Sequence, residues 1–189
     1  MDKIIRPGAG VLYMKVGTHA GESLDDILNR KTREIEEAGY ALWGYGGNTC
    51  HPLSMVQPFA RDYERRGSTI YLCMEPMDSH HSAVTERATA SSADGIHWEP
   101  IPAAINVIGS RHALAIADLQ ADDFDLPLAE TEVAIGNSVG RSGDKYIAGR
   151  VDKACLVVTE HEEGSTDGGP TAHIGLVARL VKPYAVLVR

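Results

Sequence analysis

The sequence predicts an α+β fold, in which an N-terminal strand-helix-strand-helix-strand unit packs on a mostly antiparallel, β-rich sheet or partial barrel. Three observations predict it. One helix is written clearly between Leu24 and Ala38, with end signals on both sides. A second apolar stripe follows from Ser54. Beyond Gly95 nearly every candidate element is a strand, and the spacings are too short for the crossovers that parallel pairing needs.

Val11 to Val16 reads as a short strand, followed by the loop Gly17 to Gly21. Ser23 with Asp26 makes a variant capping box, and Leu24, Ile27, Leu28, Ile35 and Ala38 share one helical face. Asp25 and Asp26 suit the positive end of the helix dipole, and Gly39 suits the left-handed turn that ends a helix. Tyr40 to Tyr45 is strand-like and aromatic. Ser54 is then the expected N-cap of a second helix carrying Met55, Val56, Phe59 and Tyr63 on one face, with Pro58 near its first turn.

Ser68 to Met74 alternates, Ile70, Leu72 and Met74 opposing Thr69, Tyr71 and Cys73, and so reads as a half-buried strand. Asp78 to Gly95 has no usable period and is expected to be a loop, or a weak helix around Val84 to Ala90. Further strands are expected at Ile96 to Pro102, Ile105 to Ile108, Ala113 to Ala117, Glu132 to Asn137, Lys145 to Ala148, Ala154 to Thr159, His173 to Leu180 and Tyr184 to Val188. Gly109-Ser110, Gly140 to Asp144 and Lys182-Pro183 punctuate them as turns, and His161 to Ala172 as an exposed loop.

A chain of 189 residues, 43% of them hydrophobic, is expected to form one domain over residues 1–189 and to need no disulfide or metal to fold. Eighteen Lys and Arg against 26 Asp and Glu leave a net charge of −8. That balance disfavours grip on a nucleic acid polymer or an anionic membrane. Met1 to Gly10 has no signal-peptide core, and no window reaches the roughly 18 apolar residues of a membrane span. With Cys50, Cys73 and Cys155 odd in number and in no CxxC pair, free thiols and a cytoplasmic setting are expected.

Chemistry concentrates in two segments. In Leu42-Trp43-Gly44-Tyr45-Gly46-Gly47-Asn48-Thr49-Cys50-His51-Pro52, glycines allow close approach of backbone N–H groups and the aromatic rings offer a flat wall. The candidate ligand contacts there are Trp43, Tyr45, Gly46, Gly47, Asn48 and His51. Gly136-Asn137-Ser138-Val139-Gly140-Arg141-Ser142-Gly143-Asp144-Lys145 could form an anion nest with Arg141, Ser142 and Lys145, although it is neither a Walker loop nor a dinucleotide fingerprint. Arg111 and His112 could add charge. The simpler alternative for both segments is a tight turn, with Trp43 in the core and the charges solvated.

Eight histidines include no HxxxH or HxH, so no metal site and no cofactor is expected. His80-His81-Ser82 is a single formal match to the two His-x-Ser/Thr motifs of a paired-histidine phosphoesterase. Cys50 beside His51 is weak support for a thiol nucleophile, because catalytic pairs usually meet across a fold. The acidic runs Asp122 to Asp125 and Glu160 to Glu163 read as solvated turns.

No catalytic constellation is complete, whereas features for aromatic stacking and for anions are visible. The sequence therefore reads best as a binder that sequesters a small anionic, nucleotide-like ligand, a sponge of prokaryotic or phage origin. A phosphodiesterase-like hydrolase using His51, His97 or His112 as acid and base is one alternative. A structural or protein-interaction domain is the other. The edges of a β-rich sheet ask to be covered, so a homo-oligomer, a dimer first, is expected.

Overall fold

The computed structural model describes residues 4–19, 21–81, 86–148, 151–160 and 169–189. The first half holds β1 (Gly10–His19), α1 (Leu24–Ala38), β2 (Ala41–Tyr45), α2 (Gln57–Arg65) and β3 (Tyr71–His81). The second holds β4 (Ala90–Ser92), β5 (Glu99–Pro100), β6 (His112–Pro127), β7 (Thr131–Val133), α3 (Gly143–Ile147), β8 (Lys153–Val158) and β9 (Thr171–Val188). The Ser23 hydroxyl accepts a hydrogen bond from Asp26 N–H, and Gly39 ends α1 in the left-handed conformation at φ 82° with its N–H on Ile35 O.

The second helix starts differently from its sequence reading. Pro58 has no N–H to return to the Ser54 carbonyl, and the chain enters α2 through a π turn over Pro52–Val56 instead.

Among the described residues the nine strands form a mixed, mostly antiparallel sheet in the order β2-β6-β9-β3-β1-β8-β7, with β4 pairing to β9 and β5 to β4. The one parallel pair is β1 with β3, and the first helices bridge it. The sheet is open, ending at β2 and β7, which agrees with the sheet expected from the sequence and lends no support to a partial barrel. The free side of the three-residue β7 is taken by the turn that follows it, where Val133 N–H meets Arg141 O and Gly140 N–H meets Val133 O. No helix among the described residues is long and apolar enough to cross a membrane.

Both faces of the central strands are buried. Leu12, Met14, Leu72 and Met74 face α1 and α2, while Val11, Tyr13 and Cys73 enter a second cluster with Phe124, Leu126 and Leu156. Cys73 is fully buried, so β3 is not the half-exposed strand its alternation suggests. The acidic run Asp122 to Asp125 is not a turn either. It lies within β6, where Phe124 and Leu126 point inward and Asp123 and Asp125 outward.

Further segments depart from expectation: Ile105 to Ile108 is not a strand and makes only an isolated bridge from Ile108 to Arg87. Lys145 to Ile147 belongs to α3 rather than to a strand; Gly143 packs so closely on Thr131 Oγ1 and Leu128 O that a β-carbon would not fit. Only Glu99–Pro100 is strand within Ile96 to Pro102, because the Asp94 carboxylate accepts from the Ile96 and His97 N–H groups and turns the chain. The two expected C-terminal strands are one, β9, continuous through Lys182-Pro183. Residues 82–85 and 161–168, on which parts of two loop readings fall, lie outside the described residues.

Candidate functional site

A cavity of about 440 Å³ opens where β1, α1, β2 and the segments 106–110 and 152–153 converge. Its size falls in the range of small-ligand sites, roughly 300 to 1,000 Å³. Met14 and Val16 of β1 and Ile27 of α1 supply apolar wall, and Trp43 through Gly47 supply the wall from β2 and its exit. Met77 stands at the rim with 44% of its surface exposed.

Two glycines set the shape. A β-carbon on Gly44 would collide with Ser110 Oγ and lie 3.1 Å from Val107 Cγ1, so the absence of a side chain lets the 106–110 segment lie directly on β2. Gly47, at φ 87°, turns the chain beneath the Lys153 ammonium, whose Nζ lies 3.5 Å from where a Gly47 β-carbon would sit.

The charged wall is ordered by a buried ion network on α1. Lys31 Nζ donates to both Glu34 oxygens at 3.1 and 2.8 Å, and to the Asn106 carbonyl at 2.8 Å. Arg30 Nη1 donates to the same carbonyl and to Glu34 Oε1, while Nε and Nη2 engage Glu22 in a fork. Glu34 Oε1 in turn accepts from Asn106 N–H at 3.0 Å. Both backbone polar groups of Asn106, in two successive peptide units, are thus held by helix side chains. Burial pulls the Lys31 ammonium down to about 8, with Glu34 opposing the shift.

Lys153, 6% exposed, enters the cavity from β8 and donates to Asp152 Oδ1 at 2.8 Å. Lys15 lies on the same wall. Behind Tyr45, His112 packs on the Tyr45 and His51 rings at 5.4 and 5.3 Å between centroids. His112 Nδ1 and His51 Nδ1 are buried without a hydrogen-bond partner among the described residues. Burial, then the neighbouring His51, hold His112 below the ordinary imidazole range. Tyr45 Oη donates to Cys50 O at 2.6 Å, and burial raises its phenol so that it keeps its proton. Cys50 and Cys155 are buried thiols with sulfurs 4.0 Å apart.

The sequence-predicted contacts divide. Trp43, Tyr45, Gly46 and Gly47 lie in the cavity wall, and each of the two rings also belongs to the apolar core, 6% exposed. His51 and His112 sit behind that wall. Asn48 and Arg111 are exposed and outside it. Arg141, Ser142 and Lys145 gather around α3, away from the cavity: Arg141 Nη2 donates to Lys145 O, and Ser142 Oγ donates to Asp144. His97 is exposed and paired with Asp94.

Sequence reasoning missed Arg30, Lys31, Lys153 and the 106–110 segment. A signal existed for Lys31, which fills the gap between Ile27 and Ile35 in the apolar stripe of α1. Among the described residues no group of three or more His, Cys, Asp or Glu is placed to hold a metal ion. Comparison with protein-family models, characterised proteins and solved structures finds no match to this chain.

Proposed function

We propose that the protein binds and sequesters a small anionic, nucleotide-like ligand in the 440 Å³ cavity. The observation that carries this reading is the Lys153 ammonium, buried over the Gly46-Gly47 turn beside Trp43 and Tyr45. A buried cation strengthens contact with an anion, because little water screens it. The anion-binding role therefore falls on Lys153 rather than on Arg141 and Lys145. The protein acts in the cytoplasm as a homo-oligomer, and its partner is neither a nucleic acid polymer nor a membrane.

Heating the protein purified from its native host, and identifying the released small molecules by mass spectrometry, tests the reading. An intact anion with a flat ring is expected. A processed pair of compounds would favour the hydrolase reading, in which the unpartnered His51 and His112 nitrogens take up and return a proton. Loss of no compound, together with no titration by any nucleotide, would leave the interaction-domain reading. Sedimentation at micromolar concentration checks the oligomer against the 20.4 kDa single chain.

A further inference from the structure

We infer that the ligand carries a single anionic group, one phosphate ester or one carboxylate, and that the site selects against di- and triphosphates. This rests on the reading of the cavity as an anion site and narrows it.

The argument is one of donor capacity and charge. Four cations reach the cavity wall, Lys15, Arg30, Lys31 and Lys153. Two of them are spent, which leaves Lys153 on β8 and Lys15, further along the wall on β1. The three N–H donors of Lys31 face three acceptors, the two Glu34 oxygens and Asn106 O. Arg30 gives Nε and Nη2 to Glu22, and Nη1 to Glu34 and Asn106 O. Lys153 has one acceptor among the described residues, Asp152 Oδ1, which leaves it two donors. The ammonium lies over Gly47, and two donors suffice for one compact anionic group.

The wall also carries repulsion. Asp152 and Glu22 are on it, and Glu34 lies directly behind Lys31 and Arg30. Four positive charges against three negative ones leave a surplus of one. A monoanion or a phosphate dianion comes near to neutralising that surplus. A triphosphate would place about four negative charges against it, with the Asp152 and Glu22 carboxylates on the same wall. The apolar remainder of the wall, Met14, Val16, Ile27 and Trp43, suits an uncharged flat ring better than a longer phosphate chain.

The test is calorimetric titration of the full chain with three sets of probes. They are nucleoside 5′-monophosphates and 3′,5′-cyclic monophosphates of the four bases, the matching triphosphates, and indole-3-acetate as a ring bearing one carboxylate. At least one single-anion compound is expected to bind, with its triphosphate counterpart weaker by about tenfold or more. Preference for the cyclic or linear monophosphates over indole-3-acetate, or the reverse, tells which source supplies the anion.

Lys153→Met should weaken the best single-anion probe by about tenfold or more, and Lys153→Arg should retain most of the affinity. Because burying a methionine there could disturb folding, Asp152→Asn at the exposed neighbour is a second variant. It should narrow the gap between triphosphate and monophosphate by lifting the triphosphate affinity. Triphosphates binding as tightly as monophosphates, or an Asp152→Asn protein with an unchanged ratio, would overturn the inference and leave the cavity as an anion site. Absence of binding by every probe would remove the anion site itself.

Discussion

Lys31 and Glu34, one helical turn apart on α1, form an ion pair whose side chains are 4% and 2% exposed. Both members also bond the Asn106 backbone, Lys31 at its carbonyl and Glu34 at its N–H. A buried pair of this kind seldom adds stability over well-packed apolar residues, and what it does supply here is position. It places the 106–110 wall against α1.

Removing one member should therefore cost more than removing both. Glu34→Leu is expected to destabilise by about 3 to 5 kcal/mol, since it strands the Lys31 ammonium in the interior. The double variant Glu34→Leu, Lys31→Met should recover much of that loss in urea unfolding. Amide exchange across 106–110 should stay fast in the double variant even so, which separates positioning from stability.

The same ammonium makes stability depend on pH on the alkaline side. Its folded value, about 8, lies below the ordinary 10.5, so between these values the unfolded chain holds the proton more tightly. Stability contributed by this group is then expected to rise as the pH goes from about 8 to about 10.5. Denaturation midpoints across that window, compared with Lys31→Met, measure it; a wild type that loses stability relative to the variant would refute the assignment.

Gly44→Ala should be destabilising by about 1 to 3 kcal/mol, because the new methyl group meets Ser110 Oγ and Val107. Combining it with Ser110→Gly relieves the closer of the two contacts. Thermal melts of the single and double variants should show partial recovery.

Arg141→Ala is expected to leave ligand affinity unchanged and to alter stability by less than about 0.5 kcal/mol. Its guanidinium is exposed and serves only the Lys145 carbonyl among the contacts described above. A titration in which Arg141→Ala loses affinity as Lys153→Met does would return the anion site to the α3 turn.

Helix α1 was legible because its signals are local: an N-cap, a stripe at helical spacing and a terminal glycine. The wall from Trp43 to Gly47 was legible as a concentration of aromatic rings and glycines. Lys153 was not, since its burial depends on β8 pairing with β1, where Met14 meets Lys153 across the ladder. Nor was the 106–110 segment, whose place is set by Glu34 far along the chain. The β6 run Asp122 to Asp125 misled for a related reason. Its carboxylates look solvated and are, yet the alternate residues Phe124 and Leu126 have a second cluster to enter only once the sheet exists.

The position of β1 sets an order of events during synthesis. It precedes the other strands in sequence, yet it lies between β3 and β8, and its register with Leu156 and Cys155 cannot be met until β8 has been made. Until then one edge of β1 waits unpaired, and long-range pairing of this sort is slow, on the scale of milliseconds to seconds for β-dominated domains. The cavity inherits that delay. A nascent chain that stops short of Lys153 has the aromatic wall without the buried ammonium that lies over Gly47, so the cavity gains that charge only once β8 is made.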